Sequence, residues 1–204
     1  MNFKQDKLSV FQEINNIGAG NASTSLSQML NKIVDIGLPK IDLIKFSNIK
    51  SSYTYQEELF VGTIFQISGD LEGFIMVVMN FDSAFNLLSM LLGIEMDWDI
   101  DNYEEVCKEL GTFGEICNII CGTYLTAISN MTGITINQST PYFSTKVMID
   151  IINLTLPLYE DISDFLLCVE TEFFTLNREI EGKYYFIPNM ESFNKLLSKL
   201  GFDI

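Results

Sequence analysis

Apolar residues near the start of the chain recur at helical spacing. Val10, Ile14 and Ile17 share one side, and Phe11 adds to it. At about 100° per residue, with Phe11 at zero, Ile14, Val10 and Ile17 fall at roughly 300°, 260° and 240°. The spacing predicts a helix running to about Leu30. A second helical pattern opens at Asn102, where Asn102 and Glu105 have the form of a capping box, and runs to about Met131. Pro39 and Pro141 are expected to break these two patterns. Segments rich in Ile, Phe, Val and Tyr follow each proline and predict strands. In the first half they are Lys40–Tyr55, Leu59–Ser68 and Gly73–Met79; in the second, Tyr142–Leu156, Phe165–Leu176 and Lys183–Ile187. Gly69-Asp70 and Asn177-Arg178 sit where hairpin turns are expected. Amphipathic helices close both halves at Asp82–Leu92 and Glu191–Leu200, with Gly93 and Gly201 as stop signals. The order is helix, three strands, helix, twice. Strands joined by short turns imply an α/β (α+β) domain, an antiparallel sheet covered by helices.

The two halves are copies. Glu13-Ile14-Asn15-Asn16-Ile17 returns as Glu115-Ile116-Cys117-Asn118-Ile119, and at the same offset Gly20, Ser27, Met29 and Pro39 meet Gly122, Ser129, Met131 and Pro141. Towards the ends, Glu72-Gly73 and Asn80 correspond to Glu181-Gly182 and Asn189, and Leu92-Gly93 to Leu200-Gly201. The units span 8–93 and 104–201, joined by the acidic linker 94–103. Two such units suggest one pseudo-two-fold domain in which each half completes the other's core, since each alone has a marginal core.

The polar side of the first helix is narrow. Ser9, Glu13, Asn16 and Gly20 fall at roughly 160°, 200°, 140° and 180°, away from the apolar stripe. Glu115, Asn118 and Gly122 repeat the stripe. Ser9 could act only as an N-cap with Gln12, and Glu115 could serve Thr112 in the same way. A lone exposed Glu is ordinarily solvated surface. The recurrence of Asn, a mediocre helix former, at matching positions is what helix stability does not explain. Gly18-Ala19-Gly20-Asn21 looks superficially like a phosphate loop, but it lacks the Lys-Ser/Thr of one, and close helix packing is the expected use of its glycines.

Composition narrows the chemistry. Lys and Arg number 12 against 27 Asp and Glu, a formal charge of −15. Such a chain repels phosphate backbones and anionic lipid, so neither nucleic acid nor membrane is an expected partner. No histidine is present. That excludes His-based acid/base catalysis, Ser-His and Cys-His pairs and His-containing metal sites. Cys107, Cys117, Cys121 and Cys168 form no CxxC pair and read as buried thiols in a reducing compartment, with a cytoplasmic location expected.

The stripe resembles the motif of the CheC/CheX/FliY family of bacterial chemotaxis phosphatases. That motif is Asp or Ser, three residues, Glu, two residues, Asn, twenty-two residues, then Pro. Ser9, Glu13, Asn16 and Pro39 satisfy it in full, whereas Gly111, Glu115, Asn118 and Pro141 leave its first position empty. The run from Asn16 to Ala22 is similar to the stretch following the motif in CheC, and the length and two motifs match CheC-like members best. The resemblance implies hydrolysis of the aspartyl phosphate of CheY. Glu13 and Glu115 would dock the regulator's active-site Lys, and Asn16 and Asn118 would orient the attacking water, with Ser9 auxiliary. It implies no cofactor on this chain, because CheY would bring the Mg²⁺, and it implies CheD as a second partner. The alternative is a CheY-binding adaptor module without catalysis. From the empty position at Gly111, both sites are expected to be active and the first modestly favoured.

Overall fold

In the computed structural model, residues 3–45, 60–93, 103–146 and 165–201 are described. The elements run α1 (Phe3–Leu30), β1 (Val34–Ile36), β2 (Lys40–Lys45), β3 (Phe60–Gly69), β4 (Gly73–Asn80) and α2 (Phe81–Leu92). The second half repeats them as α3 (Tyr103–Thr132), β5 (Ile136–Gln138), β6 (Tyr142–Lys146), β7 (Phe165–Thr175), β8 (Glu181–Pro188) and α4 (Met190–Lys199). The domain is α+β, as the strand and helix patterns predict. The capping residue Asn102, most of the linker 94–103 and the strand extensions beyond Lys45 and Lys146 lie outside the described residues.

Among the described residues each unit carries four strands rather than three. The additional ones, β1 and β5, have three residues each, too few for a period of two to register. The long helices end where their spacing predicts, at Leu30 and, within one residue, at Thr132. Neither proline stops a helix. The left-handed residues Asn31 (φ 49°) and Gly133 (φ 68°) do, turning the chain just after Leu30 and Thr132. Pro39 and Pro141 instead sit between the short strand and the next one. Ser27 and Ser129 fasten these turns: Ser27 Oγ accepts from the Val34 N–H at 3.0 Å, and Ser129 Oγ donates to the Ile134 carbonyl at 2.6 Å.

The strands form one eight-stranded antiparallel sheet in the order β1-β7-β8-β4-β3-β5, with β2 also on β7 and β6 also on β3. The units are thus intertwined. β1 and β2 of the first extend the hairpin of the second, and β5 and β6 of the second extend the hairpin of the first. Matching backbone bonds secure both exchanges, Gly37 N–H to the Glu172 carbonyl at 2.8 Å and Ser139 N–H to the Gln66 carbonyl at 2.9 Å. At the centre β4 pairs with β8, where Met76 faces its own counterpart Tyr185.

Asn80 and Asn189 cap the closing helices. Each side-chain oxygen accepts a backbone N–H at 2.8 Å, from Ser83 and Ser192 respectively. Those serines then reach across to the other unit. Ser83 Oγ accepts from the Glu181 N–H at 2.9 Å, and Ser192 Oγ from the Glu72 N–H at 2.7 Å. A residue pair that matched only as a sequence echo is therefore a reciprocal clasp between halves.

The four described helices share one core with one face of the sheet. Ile75, Val77 and Met79 of β4 meet Ile14, Ala19, Phe85, Phe113, Ile120 and Leu196 there. Cys117, Cys121 and Cys168 are buried free thiols. Burial pushes Cys117 and Cys168 up to about 12 and Cys121 well above its ordinary value, so all three stay neutral as small apolar side chains.

The helix α1 buries Ile14, Asn15, Gly18, Ala19, Ala22 and Leu26, a face of mostly small side chains. That lets α3 approach closely. The Tyr124 ring of α3 lies over Gly18, where a Cβ would stand 2.5 Å from Cδ2. Tyr124 is itself locked, edge-on to Tyr184 at 5.0 Å and to Phe186 at 5.8 Å. Gly18→Ala should therefore destabilise the fold by about 1–3 kcal/mol, overpacking outweighing the gain of about 1 kcal/mol in helix propensity. Urea unfolding checks this, and an unchanged or raised midpoint would mean the Tyr124 ring can move aside.

Candidate functional site

The two motif turns lie well inside long helices. Ser9 falls within α1 and Gly111 within α3, so neither is a helix start, and the capping readings of Ser9 and Thr112 do not hold. The side chain of Ser9 lies outside the described residues, as do those of Val10 and Phe11. At Gly111 a Cβ would meet nothing within 4 Å.

Glu13 and Glu115 are exposed, and Asn16 and Asn118 are half-buried. In each helix the carboxylate and the amide, three residues apart, share a side, as the angular reading has it. The motif prolines belong to the same neighbourhood. The Pro39 carbonyl accepts from Gln12 Nε2 at 3.4 Å, next to Glu13. In the second unit the equivalent of Gln12 is Gly114, and the space above it is taken by the Phe143 ring from β6. The proline of the motif thus marks where the chain, after the short strand, returns to the helix carrying Glu and Asn.

Two residues beside each pair depart from the sequence expectation. Ile17 belongs by spacing to the apolar stripe, yet it is 40% exposed, and its counterpart Ile119 is 44% exposed. The buried arc of α1 centres near Gly18, which turns Ile17 outward beside Glu13. The signal was present, since the angle puts Ile17 only about 40° from Glu13 and the Asn-Ile pair recurs in both units. Gly20 is the second departure. Gly18-Ala19-Gly20-Asn21 is helical throughout and forms no loop. Only Gly18 is used for close packing, whereas a Cβ at Gly20 would meet nothing within 4 Å. The counterpart Gly122 has Gln138 Nε2 at 3.6 Å from such a Cβ.

The second unit adds a contact that the first lacks. Gln138, the last residue of β5, donates from Nε2 to the Asn118 backbone carbonyl at 3.1 Å and also to the Asn118 side-chain oxygen Oδ1. The equivalent residue at the end of β1 is Ile36, and Asn16 has no side-chain hydrogen bond among the described residues. No group of three or more metal-ligating side chains occurs among the described residues, and none of their helices is long and apolar enough to cross a membrane.

Each site is therefore an exposed carboxylate, an amide one helical turn on, an exposed isoleucine and a patch of bare helix. What it can do is dock a cation and hold a small polar molecule by an amide.

A model of the CheC-like family matches residues 7–41, and a model of the chemotaxis phosphatase CheX matches residues 60–154. The CheY-P phosphatase CheC of Bacillus subtilis (strain 168) is 26% identical over 200 residues, 97% of this chain and 95% of that protein. The chain is thus similar to members of the CheC/CheX/FliY family over nearly its whole length. Among solved structures, Thermotoga maritima FliY is 24% identical with a TM-score of 0.75, covering 96% of both chains. The FliM middle domain of Helicobacter pylori is 17% identical with a TM-score of 0.64, covering 95% of this chain and 98% of that one. The CheX–CheY–BeF3–Mg²⁺ complex of Borrelia burgdorferi gives 19% and 0.61, covering 86% and 97%. At these identities the likeness is one of fold. Because FliM shares it, the fold of the CheC/CheX/FliY family does not by itself specify chemistry, and the side chains on α1 and α3 must.

Glycine costs a helix interior about 1 kcal/mol relative to alanine, and at Gly20 no packing contact repays it. Gly20→Ala should accordingly raise stability by about 0.5–1 kcal/mol in urea unfolding. A lowered midpoint would show that the bare surface is needed within the molecule rather than for an incoming one.

Proposed function

We propose that this protein hydrolyses the aspartyl phosphate of phosphorylated CheY, at two sites built on α1 and α3. The observation that carries the reading is the twinned arrangement of exposed Glu and half-buried Asn in both units, on helix faces turned away from the core. The 26% identical relative, itself a CheY-P phosphatase, supports it, as does the family's inclusion of a CheX solved with CheY.

In this reading Glu13 or Glu115 pairs with the active-site Lys of the regulator. The amide of Asn16 or Asn118 enters beside the phosphoryl group and holds a water in line with it. The water oxygen attacks phosphorus, the bond to the aspartyl oxygen breaks, and free phosphate and the regenerated carboxylate result. Phosphoryl transfer of this kind is driven by positioning and charge stabilisation, and the regulator's Mg²⁺ supplies the latter. An amide suffices because it offers one acceptor and a donor to one water. A chain without histidine can therefore do this work. The Ile17 and Ile119 side chains and the bare surface at Gly20 and Gly122 give the regulator an apolar, uncrowded approach. CheD is carried over as a further partner, with no residues assigned.

Replacing Asn16 and Asn118 together with Ala should abolish dephosphorylation of CheY while lowering stability by only about 1 kcal/mol, the worth of the one hydrogen bond that Asn118 Oδ1 accepts from Gln138. Phosphate release from phosphorylated CheY measures the first and urea unfolding the second. Near-parental activity in the double variant would mean something else orients the water. Retained CheY binding with no hydrolysis in the parent protein would make this chain the adaptor.

Glu13→Gln and Glu115→Gln together should act mainly on docking. The charge is lost and the shape kept, so KM should rise, by an amount equivalent to about 1–3 kcal/mol for a charged hydrogen bond, with turnover less affected. An unchanged KM with collapsed kcat would point instead to Glu as a general base.

A further inference from the structure

The amide of Asn118 has a defined orientation, and the Gln138 contact defines it. A backbone carbonyl only accepts hydrogen bonds, so the Gln138 atom 3.1 Å from the Asn118 carbonyl must be the NH₂ group. That same NH₂ also meets the Asn118 side chain, so the atom it meets must be the acceptor, Oδ1. Nδ2 is then directed away from Gln138 with both of its hydrogens unused by that contact. Oδ1 keeps its second lone pair. Two N–H donors and one acceptor lone pair thus remain to grip a water, in a fixed sense.

Asn16 has no such partner. The equivalent of Gln138 at the end of β1 is Ile36, whose side chain can donate nothing. Asn16 can flip its amide and change rotamer at little cost, and must lose that freedom when a water and a phosphoryl group are to be held. β1 and β5 hold equivalent places in the fold and carry different residues at the one position that reaches the amide.

We propose that Gln138 is a positioning residue that pre-orients Asn118, so that the second site is organised before the regulator arrives and the first is organised only by it. This rests on the phosphatase reading for its kinetic consequence but not for its structural one. It also opposes the ranking drawn from Gly111, which favours the first site. Gly111 empties a position one turn before Glu115, whereas Gln138 acts on the amide itself.

The kinetic test isolates the second site in an Asn16→Ala background. There, Gln138→Glu keeps the shape but presents only acceptors, which should draw Nδ2 inward and reverse the amide, and Gln138→Ile copies the first site. Both should lower kcat for dephosphorylation of CheY by about 10-fold or more, as for misplacement of a positioned group, with KM within about twofold. Asn16→Ala and Gln138→Ile combined should retain helical circular dichroism and cooperative unfolding. An unchanged kcat, or a loss confined to KM, would overturn the proposal. The structural test needs no activity. In the full-length protein, the side-chain amide resonances of Asn118 should be resolved and ordered on the picosecond–nanosecond timescale, those of Asn16 mobile, and Gln138→Ile should make Asn118 as mobile as Asn16. Equal mobility of the two amides in the parent protein would also overturn it, and would leave the phosphatase reading standing.

Discussion

Exchange of short strands between the halves is the constraint on which the rest of the structure depends. A hairpin such as β3–β4 has two edges. One is closed by β8 at the centre of the sheet, and the other by β5 and β6 from the opposite unit. Unpaired, that outer edge would present a row of open backbone donors and acceptors. Neither unit can supply its own covering strands, because β1 and β2 are already committed to β7. The exchange also places α1 and α3 together, since each helix leads directly into an exchanged strand. The contact of Tyr124 on Gly18 follows from that placement.

This arrangement couples distant parts of the sequence. The clasp from Ser192 to Glu72 spans 120 residues, and that from Ser83 to Glu181 spans 98. The ion pair from Lys195 to Asp70, at 2.7 Å, ties α4 of the second unit to the β3–β4 turn of the first. Asp70 further accepts from the Thr135 N–H at 3.0 Å, and Lys195 and that N–H together hold its carboxyl below the usual range. These contacts close long loops and give nothing until both halves are present, so folding is expected to be a single slow cooperative event.

What the sequence reveals here is what is local or duplicated. The helix–strand–strand–helix run, the 102-residue echo and the spacing of Glu13, Asn16 and Pro39 need only neighbours or a second copy to be seen. The three-residue strands escape because their pattern is shorter than any period. The helix ends near Leu30 and Met131 were legible from the spacing, but the residues that turn the chain there were not, the left-handed turn at Asn31 having no glycine to announce it. Ile17 was placed with the core because hydrophobicity alone assigned its side, while the small residues Gly18, Ala19 and Ala22 actually set the buried face. Gln138 could not be tied to Asn118 at all. Twenty residues and a turn separate them, and only the exchange of β5 onto β3 brings them together.

The central pairing of β4 with β8 has an evolutionary consequence. Met76 lies opposite the residue that is its own equivalent, Tyr185, so a single ancestral unit could have made the same pairing with an identical copy of itself. In such a homodimer every substitution would appear twice, and both sites would have to accept it. Joining the units in one chain removed that tie. Met76 faces Tyr185 across the pseudo-two-fold axis, Ile36 stands where Gln138 does, and Gly111 where Ser9 does. Within one chain the two helix faces are free to differ, while the shared sheet holds both units in one frame.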